Sequence, residues 1–345
     1  MKYSNIPNTN IKVSKICLGT MTFGQQNTEQ EAHQQLNYAV EQGVNFLDTA
    51  EMYSIPGNVK TQGNSERFIG SWLKNQKREE IVVATKVTGP AEYFKYIRED
   101  LYYTKAIILD AIDKNLKRLQ TDYVDIYQLH WPDRNANFFG KRNYVHDPNE
   151  AWEDNFKEVI ETLDSLVKEG KIRNYGVSNE TSWGVMRHLT ESKYNNLTRC
   201  KTIQNPYSLL NRFFEINLAE VAMREKVGLL AYSPLAFGVL SGKYLNGNLP
   251  ENSRIKLFPQ YNRYSSKQSI FLTEKYAELA KELGISLAQL SLAFVNQQPF
   301  VTGNIIGATT MEQLKENIGS IHVELSGETL QKINEIQELQ PNPAP

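Results

Sequence analysis

Residues 104–130, TKAIILDAIDKNLKRLQTDYVDIYQLH, read as an amphipathic helix followed by a buried strand. Thr104 can cap the helix, and the apolar residues Ile108, Ile112, Leu116 and Leu119 recur at helical spacing. The run VDIYQLH that follows is apolar at its start and polar at its carboxyl end. Strands separated by amphipathic helices are typical of parallel β/α folds.

The same polarity occurs in seven further runs along the chain. They are KICLGTM (15–21), VNFLDTA (44–50), IVVATKV (81–87), IRNYGVSN (172–179), KTIQNPY (201–207), GLLAYSPL (228–235) and NIIGATT (304–310). Helical patterns separate them; in residues 156–171, FKEVIETLDSLVKEGK, Gly170 lies where a C-terminal cap belongs. Eight such units predict a (β/α)8 TIM barrel as a single domain over residues 1–345, with its active face at the carboxyl ends of the strands.

The segments outside this repeat predict three further features. Residues 1–14 are expected to form a β-hairpin that turns at Pro7 and Asn8 and covers the closed end of the barrel. Residues 340–345, with little apolar material, are expected to form a flexible tail. Three long segments follow strand ends and should shape access to the active face, namely residues 53–64, 131–155 and 237–267.

Composition favours a small-molecule partner. The formal net charge of −1 supplies no broad field for nucleic acid or an anionic membrane. The two cysteines, Cys17 and Cys200, form no CxxC motif and are too few for a disulfide framework, which favours a reducing cytoplasm. The start of the chain lacks the apolar run of a signal peptide, and no later run has the length to span a bilayer.

Four residues at or just beyond strand ends form a coherent set for acid catalysis. They are Asp48, Tyr53, Lys86 and His130, which a closed barrel would bring together. Taken singly, each has an ordinary structural interpretation. Together they supply a phenol as proton donor, an ammonium that lowers the phenol pKa, a carboxylate that orients the ammonium, and an imidazole for the developing oxyanion.

The strings FLDTAEMY, VATK and YQLHWP resemble the signatures of the aldo-keto reductase superfamily. The block EMYSIPGNVKTQGNSERFIGSWL is similar to the bacterial Tas-like branch, which is related to voltage-gated potassium channel β subunits. This resemblance implies a catalytic tetrad of Asp48, Tyr53, Lys86 and His130. It also implies reduction of an aldehyde or ketone by hydride transfer from NADPH, with Tyr53 as general acid.

No GxGxxG motif follows a strand, so a Rossmann site is not supported. The resemblance instead assigns the nicotinamide carboxamide to Ser178, Asn179 and Gln204, ring stacking to Tyr232, and the phosphates to the segment after it. The residues that it implies for NADPH binding are Gly19, Thr20, Met21, Asp48, Ser178, Asn179, Gln204, Tyr232, Ser233, Pro234, Leu235, Gly238, Ser241, Lys243, Arg254, Gly307, Thr309, Gln313, Glu316 and Asn317.

The adenosine end of this set has a second interpretation. Thr309 and Glu312 could simply form a capping box, with Gln313 to Asn317 on an exposed helix face. Many members of the family place Lys or Arg just after this strand to hold the 2′-phosphate, where this chain has Thr309 and Thr310. The resemblance to the channel-subunit branch implies that polar residues and a loop arginine hold it instead.

Other functions are weighed against reduction. A cofactor-binding regulatory subunit would keep the fold without turnover, and a barrel aldolase would use Lys86 as a Schiff-base nucleophile. Five scattered histidines give no HxH or HExxH spacing for a metal site. The substrate and the choice between monomer and homo-oligomer stay open; the aromatic residues considered for the substrate pocket are Trp131, Phe138, Tyr144 and Trp183.

Overall fold

Eight short strands form a closed parallel barrel in the computed structural model, which describes residues 1–344. An antiparallel hairpin of β1 (Tyr3–Asn5) and β2 (Lys12–Ser14) precedes it. The barrel strands are β3 (Ile16–Gly19), β4 (Phe46–Asp48), β5 (Val82–Val87), β6 (Val124–Leu129), β7 (Ile172–Ser178), β8 (Thr202–Pro206), β9 (Gly228–Tyr232) and β10 (Val301–Ile306). They follow chain order, and β10 closes the ring by pairing with β3. The predicted TIM barrel is confirmed.

The helices surround this barrel. They are α1 (Glu29–Glu41), α2 (Asn64–Leu73), α3 (Lys105–Leu119), α4 (Phe156–Lys168), α5 (Ser182–Tyr194), α6 (Leu218–Glu225), α7 (Arg254–Leu257), α8 (Lys267–Glu282), α9 (Leu287–Asn296), α10 (Met311–Gly319) and α11 (Gly327–Leu339). None of the helices in residues 1–344 is both long enough and apolar enough to cross a membrane.

The strands are buried on both faces, as expected for a parallel sheet covered by helices. All six residues of β5 and all six of β6 are buried. Outward-facing side chains such as Val83 and Tyr127 pack against the helices in the main core. Inward-facing side chains such as Phe46 and Leu230 form a second apolar cluster inside the barrel.

The hairpin closes the amino ends of the strands, as the sequence predicted. Ile6, Ile11 and Val13 pack into the interior cluster of the barrel. Two hydrogen bonds attach the hairpin to the residues that precede β4 and β8. Ser14 N donates to the Asn45 side chain at 2.7 Å, and Lys201 Nζ donates to the Asn8 carbonyl at 3.3 Å. The functional face is therefore the opposite end.

Two of the predicted helix caps are confirmed, and one is displaced by a residue. The Thr104 side chain accepts from Ile107 N, and Gly170 takes a left-handed φ of 78° just after α4. At α10 the cap is Thr310 and not Thr309: Thr310 accepts from Gln313 N, while the Gln313 side chain accepts from Thr309 N at 3.0 Å. The capping box of Thr309 and Glu312 is therefore wrong.

Two boundaries also differ from the sequence prediction. Strand β10 begins at Val301, three residues before the predicted run, and ends at Ile306, so Gly307 and Thr309 lie beyond it. A fourth long segment, residues 88–104 after β5, also reaches the active face. Its polar and aromatic composition carried no helical or strand period, which is why it was overlooked.

The tail is packed and does not extend freely, contrary to the expectation for residues 340–345. Asn342 Oδ1 accepts from Arg212 N at 2.7 Å, and the Pro343 carbonyl accepts from Arg142 Nη2 at 2.8 Å. The Ala344 side chain is fully buried. These contacts are made with chain segments more than a hundred residues away, so local composition could not reveal them; Pro345 lies outside the described residues.

Candidate active site

Three neighbouring strands bring the four predicted acid-site residues to the open end of the barrel. Asp48 is the last residue of β4, Lys86 is the penultimate residue of β5, and His130 follows β6. Tyr53 lies in the loop after β4. Because β4, β5 and β6 are adjacent in the barrel, residues far apart in the sequence become neighbours.

Lys86 and Asp48 form a buried ion pair. Lys86 Nζ donates to Asp48 Oδ2 and to the Thr49 carbonyl, each at 2.7 Å, and the Lys86 side chain is fully buried. Burial opposes its charge, but Asp48 and Tyr53 outweigh that effect and raise the Lys86 pKa. The amine is therefore held as an ammonium, which does not fit a Schiff-base nucleophile that must attack as a free amine.

Tyr53 stands next to this ammonium and to the imidazole. Lys86 Nζ lies 5.0 Å from the centroid of the Tyr53 ring, and the Tyr53 and His130 rings meet edge to face with centroids 5.9 Å apart. Burial raises the pKa of the Tyr53 phenol, while Lys86 and, more weakly, Arg254 lower it. The predicted effect of Lys86 is present, but burial outweighs it, so the expectation of a net lowered pKa is corrected.

His130 is held as a neutral imidazole. Burial and the nearby Lys86 ammonium lower its pKa well below the ordinary value. Its Nδ1 atom has no hydrogen-bond partner among the described residues. A neutral imidazole beside the phenol can donate one hydrogen bond to a bound oxygen without delivering a full charge.

Gln128, which was not among the residues predicted for the site, lies fully buried inside the barrel. Gln128 Nε2 is 3.4 Å from Asp48 Oδ1, and Gln128 Oε1 accepts from Gln204 Nε2 at 3.2 Å. Gln204 Nε2 also donates to Asp48 Oδ1 at 2.8 Å. The available signal was strand alternation, because Gln128 and His130 are two residues apart and so point to the same face.

The residues expected to hold a carboxamide form one hydrogen-bonded group. Ser178 Oγ donates to the Gln204 carbonyl at 2.8 Å, and Asn179 Nδ2 donates to the His130 carbonyl at 2.9 Å. Tyr232 OH donates to Asn179 Oδ1 at 2.6 Å. The ends of β7, β8 and β9 are thereby linked to His130, the residue that follows β6.

The loop after β9 presents cations and a hydroxyl without internal partners. Neither Lys243 nor Arg254 forms an ion pair with a carboxylate of residues 1–344; the one side-chain hydrogen bond that Arg254 donates within these residues goes to the Met21 sulfur, at 3.8 Å. The buried hydroxyl of Ser253 has no hydrogen-bond partner among residues 1–344. Cations and hydroxyl donors facing one cleft are the groups that bind phosphate oxygens.

Two residues expected at an adenosine are engaged with their own chain. Asn317 is buried and donates to the Gly307 carbonyl at 3.1 Å, and Gln313 accepts from Thr309 as described above. Asn317 is therefore not on an exposed helix face. These bonds fix the turn between β10 and α10, which leaves Glu316 partly exposed beside it.

A known protein family and several known proteins are similar in sequence to this chain. The family model described as Aldo/keto reductase family matches residues 15–338. The chain belongs to the aldo/keto reductase family. Its similarity to the protein Tas of Escherichia coli K12 is 49% identity over the full length of both chains.

Two further relatives of this aldo/keto reductase are more distant. An uncharacterized oxidoreductase, YrpG of Bacillus subtilis, is 33% identical, with 97% of this chain and 96% of that protein covered. An aldo-keto reductase of Babesia bovis is 37% identical over 69% of this chain and 88% of its own length. Family and relatives place the chain among oxidoreductases.

The candidate site is bordered by aromatic rings from three loops. Trp131 stacks obliquely on His130 with ring centroids 4.9 Å apart, and Phe94 lies 5.7 Å beyond Trp131. Phe138 and Tyr261 pack against the same apolar cluster as Tyr53. Phe94 came from the overlooked segment after β5, and the other rings came from segments that the sequence analysis had marked.

Two aromatic residues considered for this pocket lie outside the cluster. Tyr144 is 56% exposed and contacts His146. Trp183 is 52% exposed on α5, where the Arg134 guanidinium lies 4.8 Å from its ring centroid. Both belong to the outer surface, so only Trp131 and Phe138 of the four remain as candidate walls.

Proposed function

We propose that this protein reduces an aldehyde or ketone to the alcohol with NADPH, with Tyr53 as the general acid. The observation that carries the proposal is the buried pair of Lys86 and Asp48, with the Tyr53 phenol and the His130 imidazole beside it. A carbonyl oxygen bound between Tyr53 and His130 would meet a proton donor and a neutral hydrogen-bond donor at once.

Tyr53 holds the proton that the carbonyl oxygen must receive. Burial raises the phenol pKa, so the hydroxyl stays protonated at neutral pH. Lys86 offsets part of that rise and stabilises the phenolate that forms when the proton leaves. Asp48 keeps Lys86 charged and aimed, since it bonds Nζ directly while Gln128 and Gln204 hold its other oxygen.

His130 acts on the same oxygen from the other side. Because its pKa lies well below the ordinary value, it donates as a neutral group and does not compete with Tyr53 to release a proton. The Trp131 ring packs against the imidazole and limits the entry of water. A dry pocket strengthens both hydrogen bonds to the oxygen.

The residues at the ends of β7, β8 and β9 fit a reduced nicotinamide nucleotide, which supplies the hydride when bound. Gln204, Ser178 and Asn179 offer amide and hydroxyl groups to a carboxamide, and the Tyr232 ring offers a stacking surface. The segment through Ser233, Pro234, Leu235, Gly238 and Ser241 passes the phosphates. Gly238 takes a left-handed φ of 91°, and a Cβ there would lie 2.9 Å from Lys243 Nζ.

Two cations argue for NADPH over NADH. Lys243 and Arg254 have no carboxylate partner among residues 1–344, and burial lowers the pKa of each, so each would gain from an anion. We assign Lys243 to the pyrophosphate. Arg254 is assigned to the 2′-phosphate, while Gly19, Thr20, Met21 and the turn at Thr309 enclose the remaining nucleotide surface.

Absorbance of reduced nicotinamide tests the proposal. Purified protein with NADPH and a panel of aromatic and aliphatic aldehydes should lose that absorbance, and Tyr53→Phe should lower turnover by about 10² to 10⁴-fold. The affinity of Tyr53→Phe for NADPH, measured by fluorescence titration, should stay within about twofold of the wild-type value, because the proposed role of the phenol hydroxyl is on the carbonyl oxygen of the substrate. A Tyr53→Phe variant that keeps most of its activity would contradict the role.

The regulatory-subunit alternative gives a different result. Wild-type protein would then bind NADPH but reduce none of the aldehydes. A covalent adduct on Lys86, trapped by borohydride with a carbonyl compound, would instead support the aldolase alternative, and we expect none because that amine is charged.

A further inference from the structure

Arg263 is a half-buried cation on the loop between β9 and α8 that none of the roles above employs. Most arginines of this chain pair with a carboxylate, as Arg98 and Arg134 do. Within residues 1–344 no acidic group pairs with Arg263. Burial opposes its charge, but the oxygens of Tyr264 and Tyr232 outweigh that and raise its pKa. The guanidinium is permanently charged and lacks a counter-ion.

Two separate sets of contacts relate this guanidinium to His130. On one side it lies 5.7 Å from the Phe139 ring centroid; Phe139 lies 5.6 Å from Trp131, which packs on His130. On the other side it faces Tyr232, whose hydroxyl is linked through Asn179 to the His130 carbonyl. Arg263 therefore lies on the side of the candidate site that carries Trp131 and His130.

The aromatic neighbours also orient the guanidinium. The Phe237 ring lies 5.7 Å from its Cζ atom and the Tyr264 ring 5.9 Å. The Tyr232 and Tyr264 hydroxyls approach part of its N–H edge, and the remaining N–H groups suit a planar oxygen acceptor. At Gly140, where φ is 101°, an added Cβ would come 3.6 Å from Arg263 Nε, so the loop after β6 approaches closely.

We propose that Arg263 binds a carboxylate carried by the carbonyl substrate, so that the enzyme prefers acidic aldehydes or ketones. This inference rests on the proposed reductase function. An unpaired guanidinium between aromatic rings suits a planar anion at the end of an apolar or aromatic body. The cluster of Trp131, Phe94 and Phe138 supplies the surface for that body.

The cofactor phosphates are a second source of the same chemistry, and the geometry disfavours them. The cleft near the phosphates already has two unpaired cations, Lys243 and Arg254. Both guanidinium groups lie near the Phe237 ring, at 5.2 Å for Arg254 and 5.7 Å for Arg263, but Arg254 points to Met21 of the loop after β3. Arg263 instead reaches Phe139 and Gly140 of the loop after β6, which carries the aromatic wall.

A matched pair of substrates tests the inference. 4-Carboxybenzaldehyde and methyl 4-formylbenzoate share the ring and the aldehyde and differ in charge. We expect Arg263→Met to lower kcat/KM for the carboxylate about 10- to 100-fold, mainly through KM, and to change that for the ester by less than about twofold. The kcat/KM of Arg263→Lys for the carboxylate should lie between those of the wild type and Arg263→Met, since lysine keeps the positive charge but lacks the paired N–H donors of a guanidinium. The control is Lys267→Met, at an exposed position at the start of α8, which should change neither kcat/KM.

Binding provides a readout that is independent of turnover. Calorimetric titration of 4-(hydroxymethyl)benzoate into NADPH-saturated protein should show an affinity that falls about 10- to 100-fold in Arg263→Met. The affinity for NADPH itself, titrated separately, should be unchanged. Loss of NADPH affinity in Arg263→Met would overturn the inference and assign the guanidinium to the cofactor.

The outcomes separate this inference from the proposed function. If the ester is reduced but the wild type shows no preference for the carboxylate, the inference fails and the reductase function stands. An equal loss for both substrates in Arg263→Met also overturns it. If neither substrate is reduced while 4-(hydroxymethyl)benzoate still binds in an Arg263-dependent manner, the proposed function fails and the carboxylate site stands.

Discussion

The protonation states of Tyr53 and His130 follow from burial more than from their partners. Burial raises the phenol pKa in spite of Lys86, and it lowers the imidazole pKa together with Lys86. One environment thus keeps the proposed acid protonated and its neighbour uncharged. Residue types in the sequence could indicate the roles, but the net direction of the Tyr53 shift depended on the surrounding structure.

The pH dependence of reduction follows from these directions. With saturating NADPH, kcat should be flat between about pH 6 and 9, because Tyr53 keeps its proton below the ordinary phenol value of about 10 and His130 does not ionise in that range. The rate should fall only above that value, as the acid loses its proton. Steady-state kinetics across pH would measure it; a step near pH 6.5 that disappears in His130→Gln would refute the neutral imidazole.

At the scale of elements, the loop that carries Tyr53 is fastened to the loop after β5. The fully buried Glu51 accepts two bonds from Arg98 and one from the Thr88 backbone, while Glu51 N donates to the Lys86 carbonyl at 3.2 Å. Glu51 is two residues from Tyr53, so this pair holds the phenol in place indirectly. Arg98 lies in the segment that the sequence analysis overlooked.

Removal of Arg98 should therefore be costly. Arg98→Met leaves the Glu51 carboxylate buried with one backbone donor, and we expect the free energy of unfolding to fall by about 3 to 5 kcal/mol in urea titrations. Adding Glu51→Gln should recover part of the loss. Arg224→Met, which breaks an exposed pair with Glu220 on α6, should change stability by less than about 1 kcal/mol. Equal losses in Arg98→Met and Arg224→Met would refute the anchoring role.

At the scale of the whole molecule, the barrel and the convergence of the four residues could be predicted because strand polarity is a local signal. Apolar starts and polar ends marked all eight strands, and chain order set their neighbours. What escaped prediction depends on contacts between distant segments. Examples are the packed tail at Pro343, the displaced cap at Thr310, and the contact between Arg263 and the Phe139 ring.

Cofactor binding should be visible as a change in the stability of the whole molecule. A ligand present at about 100 times its Kd stabilises the folded state by about 2.7 kcal/mol, and at a fixed concentration the stabilisation is larger when the Kd is lower. Because the 2′-phosphate should lower the Kd of NADPH, NADPH should raise the Tm more than NADH at equal concentration. Arg254→Met should reduce the difference between the NADPH and NADH shifts, because Arg254 is assigned to the 2′-phosphate. Lys243→Met should reduce both shifts, because Lys243 is assigned to the pyrophosphate that both nucleotides carry.

The control is Lys256→Met, an exposed residue of α7 two positions from Arg254, which should leave both shifts unchanged. Equal Tm shifts for NADPH and NADH in the wild type would contradict the assignment of a 2′-phosphate site.

Isotope transfer tests the central claim most directly. Wild-type protein, an aldehyde and NADPH deuterated at one of its two C4 positions should give an alcohol with one deuterium on the carbinol carbon, for one of the two stereoisomers only. Mass spectrometry of the alcohol measures it. Alcohol without deuterium from either stereoisomer would contradict hydride transfer between a bound nicotinamide and a carbonyl held by Tyr53 and His130.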